Sequence, residues 1–235
     1  AGFEFDGEQE VWELYNVAED FSQSVDLAAS QPDKLAELRA LFETEAVRYG
    51  VYPLRDASAR RGGDYAPPHS IEGHSKMTYG PMHIRMPEHG VINLKNTSYR
   101  IAATVMVQAG GQGVIACQGG NMAGWSLYLD EASRPSYVYN WFGHEFTTLV
   151  GEPLAAGEHQ ICVEYAHDGG FAAGGDLELL VNGERVAEGR VKRTVPVIFS
   201  MSGETFDVGR DTGSPVGKYP HDFAFTGVIY GVTLE

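Results

Sequence analysis

The sequence predicts a mainly β protein: a β-sandwich preceded by a small α+β piece of one strand and one long helix. Three observations carry this expectation. Composition changes near residue 55, after which Gly, aromatic and β-branched residues dominate and no amphipathic helix pattern returns. Short apolar runs then recur at regular intervals between Gly- or Ser-containing turns, as in a sandwich. Before the change, a single helix is framed by start and stop residues. The boundaries that follow are 1–55 for the α+β piece, 56–76 for a linker and 77–235 for the sandwich.

In chain order, Glu10 to Val17 can form a strand with Trp12 and Leu14 on one face. Ser30-Gln31-Pro32-Asp33 opens a helix, with small polar residues to cap it, Pro in the first turn and an acid at the positive end of the dipole. Leu35, Leu38, Phe42, Ala46 and Tyr49 share one stripe, Gly50 supplies a left-handed stop and Pro53 prevents resumption. One strand and one helix cannot bury their apolar faces alone, so this piece needs a partner. Asp56 to Lys76 has no periodicity and reads as a linker. Strands are expected at Tyr99–Val107, Gly113–Cys117, Gly124–Leu129, Pro135–Trp141, Glu158–Tyr165, Leu177–Val181, Glu184–Val191, Val195–Phe199, Thr205–Gly209 and Phe223–Leu234. Asn182-Gly183 is the strongest hairpin signal, because both residues tolerate positive φ. Trp125, Tyr128, Tyr139 and Phe225 are the expected core aromatics.

Composition narrows the function classes. The 235 residues carry a net charge of −15 and no Lys/Arg cluster, which argues against nucleic acid and against an anionic membrane surface. No apolar run approaches the roughly 20 residues that span a bilayer, and Phe3 to Tyr15 is acidic, unlike a signal peptide. Cys117 and Cys162 each sit in a strand-like run and are expected as reduced core residues.

The run from Val11-Trp12-Glu13-Leu14-Tyr15-Asn16-Val17 through Asp20-Phe21-Ser22-Gln23-Ser24 and Asp26-Leu27-Ala28 to the helix resembles the C-terminal end of bacterial arylsulfatases of the formylglycine-dependent family. The second half extends the resemblance to the long members with a C-terminal concanavalin/laminin-G-like jelly roll. The motifs are Asn96-Thr97-Ser98-Tyr99, Gly113-Val114-Ile115-Ala116, Gly124-Trp125-Ser126-Leu127-Tyr128, Leu180-Val181-Asn182-Gly183, Glu204 to Thr212 and Phe223 to Gly227. The resemblance implies a parent that hydrolyses aryl sulfates to a phenol and sulfate using calcium and a formylglycine. The motif that generates formylglycine is absent: Cys117 is followed by Gln118-Gly119-Gly120, and Cys162 by Val163-Glu164-Tyr165. No catalytic residue carries over, and the chain alone is expected to be inactive, with no cofactor of its own. It is expected to act as a scaffold that docks on the catalytic sulfatase domain; its exposed docking face can also produce a homodimer. The alternative is a lectin-like module that brings the parent to sulfated glycans.

Four groups of side chains are candidate sites. Tyr137, Tyr139 and Trp141 alternate along a strand and therefore share a face, where they either pack or stack on sugars. Tyr79 and His83 lie in the Met- and Pro-rich segment from Met77 to His89, expected to reach the catalytic domain through Met82 and Met86. Glu204, Asp207, Asp211 and Asp222 surround glycines and could hold structural calcium, although Asp207 can instead pair with Arg210. His69 with His74 and His83 with His89 are spaced as loose metal pairs but read better as solvated loop residues. A glycanase would need two facing carboxylates; Glu164 and Glu178 are on strands whose register the sequence does not reveal.

Overall fold

A computed structural model describes residues 11–52, 71 and 73–235. They fall into two compact units, one within residues 1–67 and one within 68–235. Most of the expected linker, with His69, lies outside the described residues.

The first unit contains the helix α1, Pro32–Arg48. Its start differs from expectation: Gln31 occupies the N-cap position with no side-chain hydrogen bond, and the Ser30 hydroxyl donates to the Leu27 carbonyl instead. The expected strand does not form over residues 11–17. Among the described residues that segment has no partner strand; Leu14 is tied down by its N–H to Asp26 Oδ1 (2.9 Å) and its carbonyl to Leu27 N (2.7 Å). Trp12 packs on Phe42 with ring centres 5.5 Å apart. Of the helix stripe only Ala46 is buried, whereas Leu38 is 39% and Tyr49 69% exposed; outside the stripe, Leu41 is 54% and Phe21 92% exposed. The unit is too small to cover its own apolar side chains.

The described residues of the second unit form a sandwich of eleven strands: β1 Met77–Tyr79, β2 Tyr99–Val107, β3 Gly113–Gly119, β4 Gly124–Leu129, β5 Pro135–Trp141, β6 Glu145–Val150, β7 Gly157–His167, β8 Gly175–Val181, β9 Glu184–Val191, β10 Phe206–Val208 and β11 Val228–Leu234. A six-stranded sheet runs β1-β11-β2-β7-β8-β9 and a five-stranded sheet runs β10-β3-β4-β5-β6. All strand pairs are antiparallel. Asn182 and Gly183 both take positive φ, the type of turn that matches strand twist. β6 was not anticipated, and Val195–Phe199 is not a strand: Pro196 interrupts it and its backbone bonds elsewhere. Only the latter part of Phe223–Leu234 is strand.

Between the sheets lies the main core, including Ile101, Val105, Trp125, Leu127, Tyr137, Ile161, Leu177, Phe206 and Leu234. A second, smaller core lies on the other side of the five-stranded sheet. There residues 209–224 form a strap across the sheet, and its Val216 and Phe223 pack on Val114, Cys117, Tyr128 and Val138. Burying Val216 and Phe223 contributes roughly 1.5–3 kcal/mol each. The strap rejoins the sheet where Val114 N donates to Phe223 O (2.7 Å). Gly113 permits this approach: it has φ +112°, and a Cβ there would stand 2.2 Å from the Ala224 carbonyl oxygen. Both cysteines are free and buried.

Candidate functional site

The strap shapes a pocket of about 460 Å³ at one end of the five-stranded sheet. Tyr128 on β4 and Ser136 on β5 form its floor, while Tyr219, Pro220 and Phe223 of the strap form one wall. The opposite wall is the β4–β5 turn, Asp130 to Arg134. Asp130 builds that turn by accepting the N–H groups of Ala132 and Arg134, both at 2.9 Å, while Ser133 takes φ +61°. The rings are ordered: Tyr219 stacks on Phe223 at 5.8 Å and tilts over Tyr128 at 5.0 Å. The Tyr219 hydroxyl donates to Asp211 Oδ2 at 2.8 Å, which fixes the ring as a wall. Burial pushes the Tyr219 hydroxyl well above its ordinary pKa, so it remains a neutral donor.

Charge at the mouth is divided unequally. Arg134 is paired with Asp130 at 2.7 Å. Lys218 and Glu131 also line the pocket and have no ion pair among the described residues. One free donor and one free acceptor beside aromatic walls suit a ligand with an apolar ring face and a rim of hydroxyls.

The larger opening, about 730 Å³, lies across the open side of the six-stranded sheet. Its charges are engaged with one another. Arg100 bridges Glu164 and Glu235, each at 3.2 Å, Lys76 also holds Glu235 at 2.6 Å, and Arg190 holds Asp176 at 2.8 Å. Glu164 and Glu178 stand directly opposite each other in the β7–β8 register. Arg185 binds Glu178 at 2.8 Å, so each carboxylate of that pair already has an arginine. A third recess, about 410 Å³, is lined mainly by apolar residues, including Pro81, Ile84, Phe225 and Ile229.

Several sequence expectations need correction. Tyr137, Tyr139 and Trp141 do share a face, but it is the inner one: Tyr137 is 0% and Tyr139 3% exposed, and neither ring can receive a ligand. The Tyr137 hydroxyl meets that of Tyr99 at 2.7 Å, and that of Tyr139 accepts Val195 N at 2.8 Å. Trp141 sits at the rim with the Arg193 guanidinium 3.8 Å over its ring. Tyr79 is also a core residue, bonded to Ile92 N, and His83 folds back so that its Nδ1 accepts Gly80 N. Among the described residues no histidine belongs to a metal-type cluster.

The four acidic residues separate. Glu204 receives Ser214 Oγ (3.0 Å) and Ser202 N (2.9 Å), and Asp222 pairs with Arg210 at 3.3 Å, which leaves Arg210 unavailable to Asp207. Asp207 and Asp211 do come together, with Cys117 as the third member. Burial raises the Asp211 carboxyl above the ordinary aspartate range and the Cys117 thiol well above its own. Ser136 Oγ donates to the Arg134 carbonyl, and Ser126 Oγ is buried with no hydrogen-bond partner. The strap pocket was missed in the sequence because its aromatics follow no period.

Neither a protein-family profile nor a curated protein matches the sequence. Solved structures with a similar fold include the CBM40 domain of a Ruminococcus gnavus IT-sialidase bound to α2,3-sialyllactose. It is 14% identical, the alignment covers 67% of this chain and 84% of that one, and the TM-score is 0.46. The leech intramolecular trans-sialidase is 14% identical over 68% of this chain and 25% of its own, with a TM-score of 0.44. Domains LG4-5 of the mouse laminin α1 chain are 16% identical over 73% of this chain and 43% of theirs, with a TM-score of 0.37. The likeness is one of fold: a jelly-roll sandwich of two antiparallel sheets.

Proposed function

We propose that the sandwich is a non-catalytic carbohydrate-binding module whose ligand enters the pocket between the strap and the β4–β5 turn. The observation that supports this most is the pairing of the Tyr219 ring, backed by the buried Phe223, with Lys218 and Glu131, which have no ion pair among the described residues. A volume near 460 Å³ suits one or two sugar rings. Lys218 accommodates a single sulfate or carboxylate on the sugar, whereas the chain's net charge of −15 disfavours densely sulfated polymers. Titration calorimetry with neutral and monosulfated oligosaccharides tests the reading. Tyr219→Ala should weaken binding at least about tenfold, the scale of one lost aromatic contact. Equal binding by the variant, or no binding of either sugar class, would sink it.

A second reading follows from the first unit. Its bare Phe21, Leu41, Val47 and Tyr49 support an accessory C-terminal region that docks on an arylsulfatase catalytic domain, in line with the sequence resemblance. The purified chain should then show no turnover of a nitrophenyl sulfate, and Leu41→Glu should abolish its capture by that catalytic domain. Turnover that survives removal of contaminants, or undiminished capture, would refute it. A dimer dispersed by Leu41→Glu would point to a second copy as the occupant.

A further inference from the structure

Beneath the strap lies a cluster that carbohydrate binding does not use. Asp207 on β10, Cys117 on β3 and Ser126 on β4 stand side by side in register on adjacent strands. Asp211 reaches the same place from the strap, and ligand atoms of Cys117, Asp207 and Asp211 lie within 4.8 Å of one another. All four residues are buried. Among the described residues neither aspartate has an ion pair, and the neighbouring Arg210 is engaged with Asp222. Only neutral donors face them: Asp207 accepts Arg85 N, Thr212 N and the Thr205 and Thr212 hydroxyls, and Asp211 accepts Gly213 N, Val216 N and the Tyr219 hydroxyl, so a cation would add the counter-charge that this pair lacks. A second observation points the same way: Ser126 Oγ is buried with no hydrogen-bond partner. It is near enough to influence the Tyr219 hydroxyl, which is itself bonded to Asp211.

We infer that Cys117, Asp207 and Asp211, with Ser126 as fourth ligand, hold a divalent cation of the zinc class. A thiolate beside two carboxylates selects a borderline-soft ion over calcium, which takes six or more oxygens. The carboxylates are already oriented from behind, as metal ligands usually are: Arg85 N donates to Asp207 Oδ1, and Gly213 N to Asp211 Oδ1. Zinc bonds of about 2.0–2.3 Å require the ligand atoms to draw in by roughly 1 Å. The Cys117 thiol, which donates to Arg210 O at 3.6 Å, gives up that bond and releases its proton to solvent as the ion binds. The cation then joins three strands to the strap. Glu204 and Asp222 take no part, so this is a different site from the calcium set suggested by sequence spacing.

The test uses the whole chain. Elemental analysis after purification without chelator should find about one zinc per chain. Cobalt added to chelator-treated protein should give a thiolate-to-metal charge-transfer band that Cys117→Ser abolishes and Cys162→Ser retains. Asp211→Asn, which keeps the side chain's size, should weaken cobalt binding at least about tenfold, by analogy with losses at metal sites. Metal-free protein showing no band and no change of melting temperature with added zinc overturns the proposal. So does a band lost in Cys162→Ser but kept in Cys117→Ser.

Discussion

The two sheets of the sandwich use their outer faces in opposite ways. The six-stranded sheet shows water a row of paired charges, Lys76–Glu235–Arg100–Glu164 continuing to Glu178 and Arg185. The five-stranded sheet is roofed by the strap, so β3 and β4 are buried along their whole length and β5 along all but its last residue. An open face needs only solubility and tolerates exchange of its charges. A roofed face must satisfy every polar group it encloses, which explains why Asn140 gives its amide to Gly120, Asn121 and Val216 carbonyls while Gly143 N reaches its oxygen. Among the described residues, rings, unpaired charges and buried polar groups converge on the roofed side, which is where the proposed sugar and metal sites lie.

Substitutions on the two faces should separate them sharply. Phe223→Ala should have the largest effect, about 3–5 kcal/mol lost by denaturant unfolding, because it opens a cavity under the strap. A loss below about 1 kcal/mol would mean that the roof packs only loosely. Tyr219→Phe should cost about 1–2 kcal/mol, since Asp211 keeps only its longer amide bonds, at 3.3 Å. Sugar binding through the retained ring should change less than in Tyr219→Ala. On the open face, Arg100→Gln should cost under about 1 kcal/mol, and the loss should shrink further in high salt. A larger, salt-insensitive loss would erase the contrast between the faces.

The smallest effect concerns acid. Lys76 and Arg100 hold the Glu235 carboxyl below its ordinary pKa. Its contribution is therefore fully present above the ordinary glutamate range and is lost as pH falls through the lower folded-state value. As pH falls from neutral to below the ordinary glutamate range, melting temperatures of Glu235→Gln should converge on those of the unaltered chain. Parallel curves would show that the network is not coupled to folding.

Much of the sandwich was legible because strands announce themselves by period. β2 alternates cleanly, with Tyr99, Ile101, Ala103, Val105 and Val107 inward, and its limits match the expectation. Period two tells which residues share a face but not which face that is, and so Tyr137 and Tyr139 stayed ambiguous until the layers were known. β6 escaped notice because Leu149 is its only buried residue. The strap reads as an ordinary loop: Val216, Tyr219 and Phe223 are spaced irregularly, and only a sheet below them gives the spacing meaning. The acidic residues were found as a group, but their partners were not, because Cys117 lies about ninety positions upstream and meets them through strand register.

Strand β1 closes the edge of the six-stranded sheet by pairing with β11, Met77 opposite Leu234 and Tyr79 opposite Val232. Beside them, Glu235 N donates to Arg100 O and Arg100 N to Glu235 O, at 3.0 and 2.8 Å. On the ribosome, these partners of residues 77–79 and 100 are the last parts of the sandwich to be made. This margin of the sheet therefore stays open until residues 232–235 have emerged, and it closes by a pairing between segments far apart in the sequence.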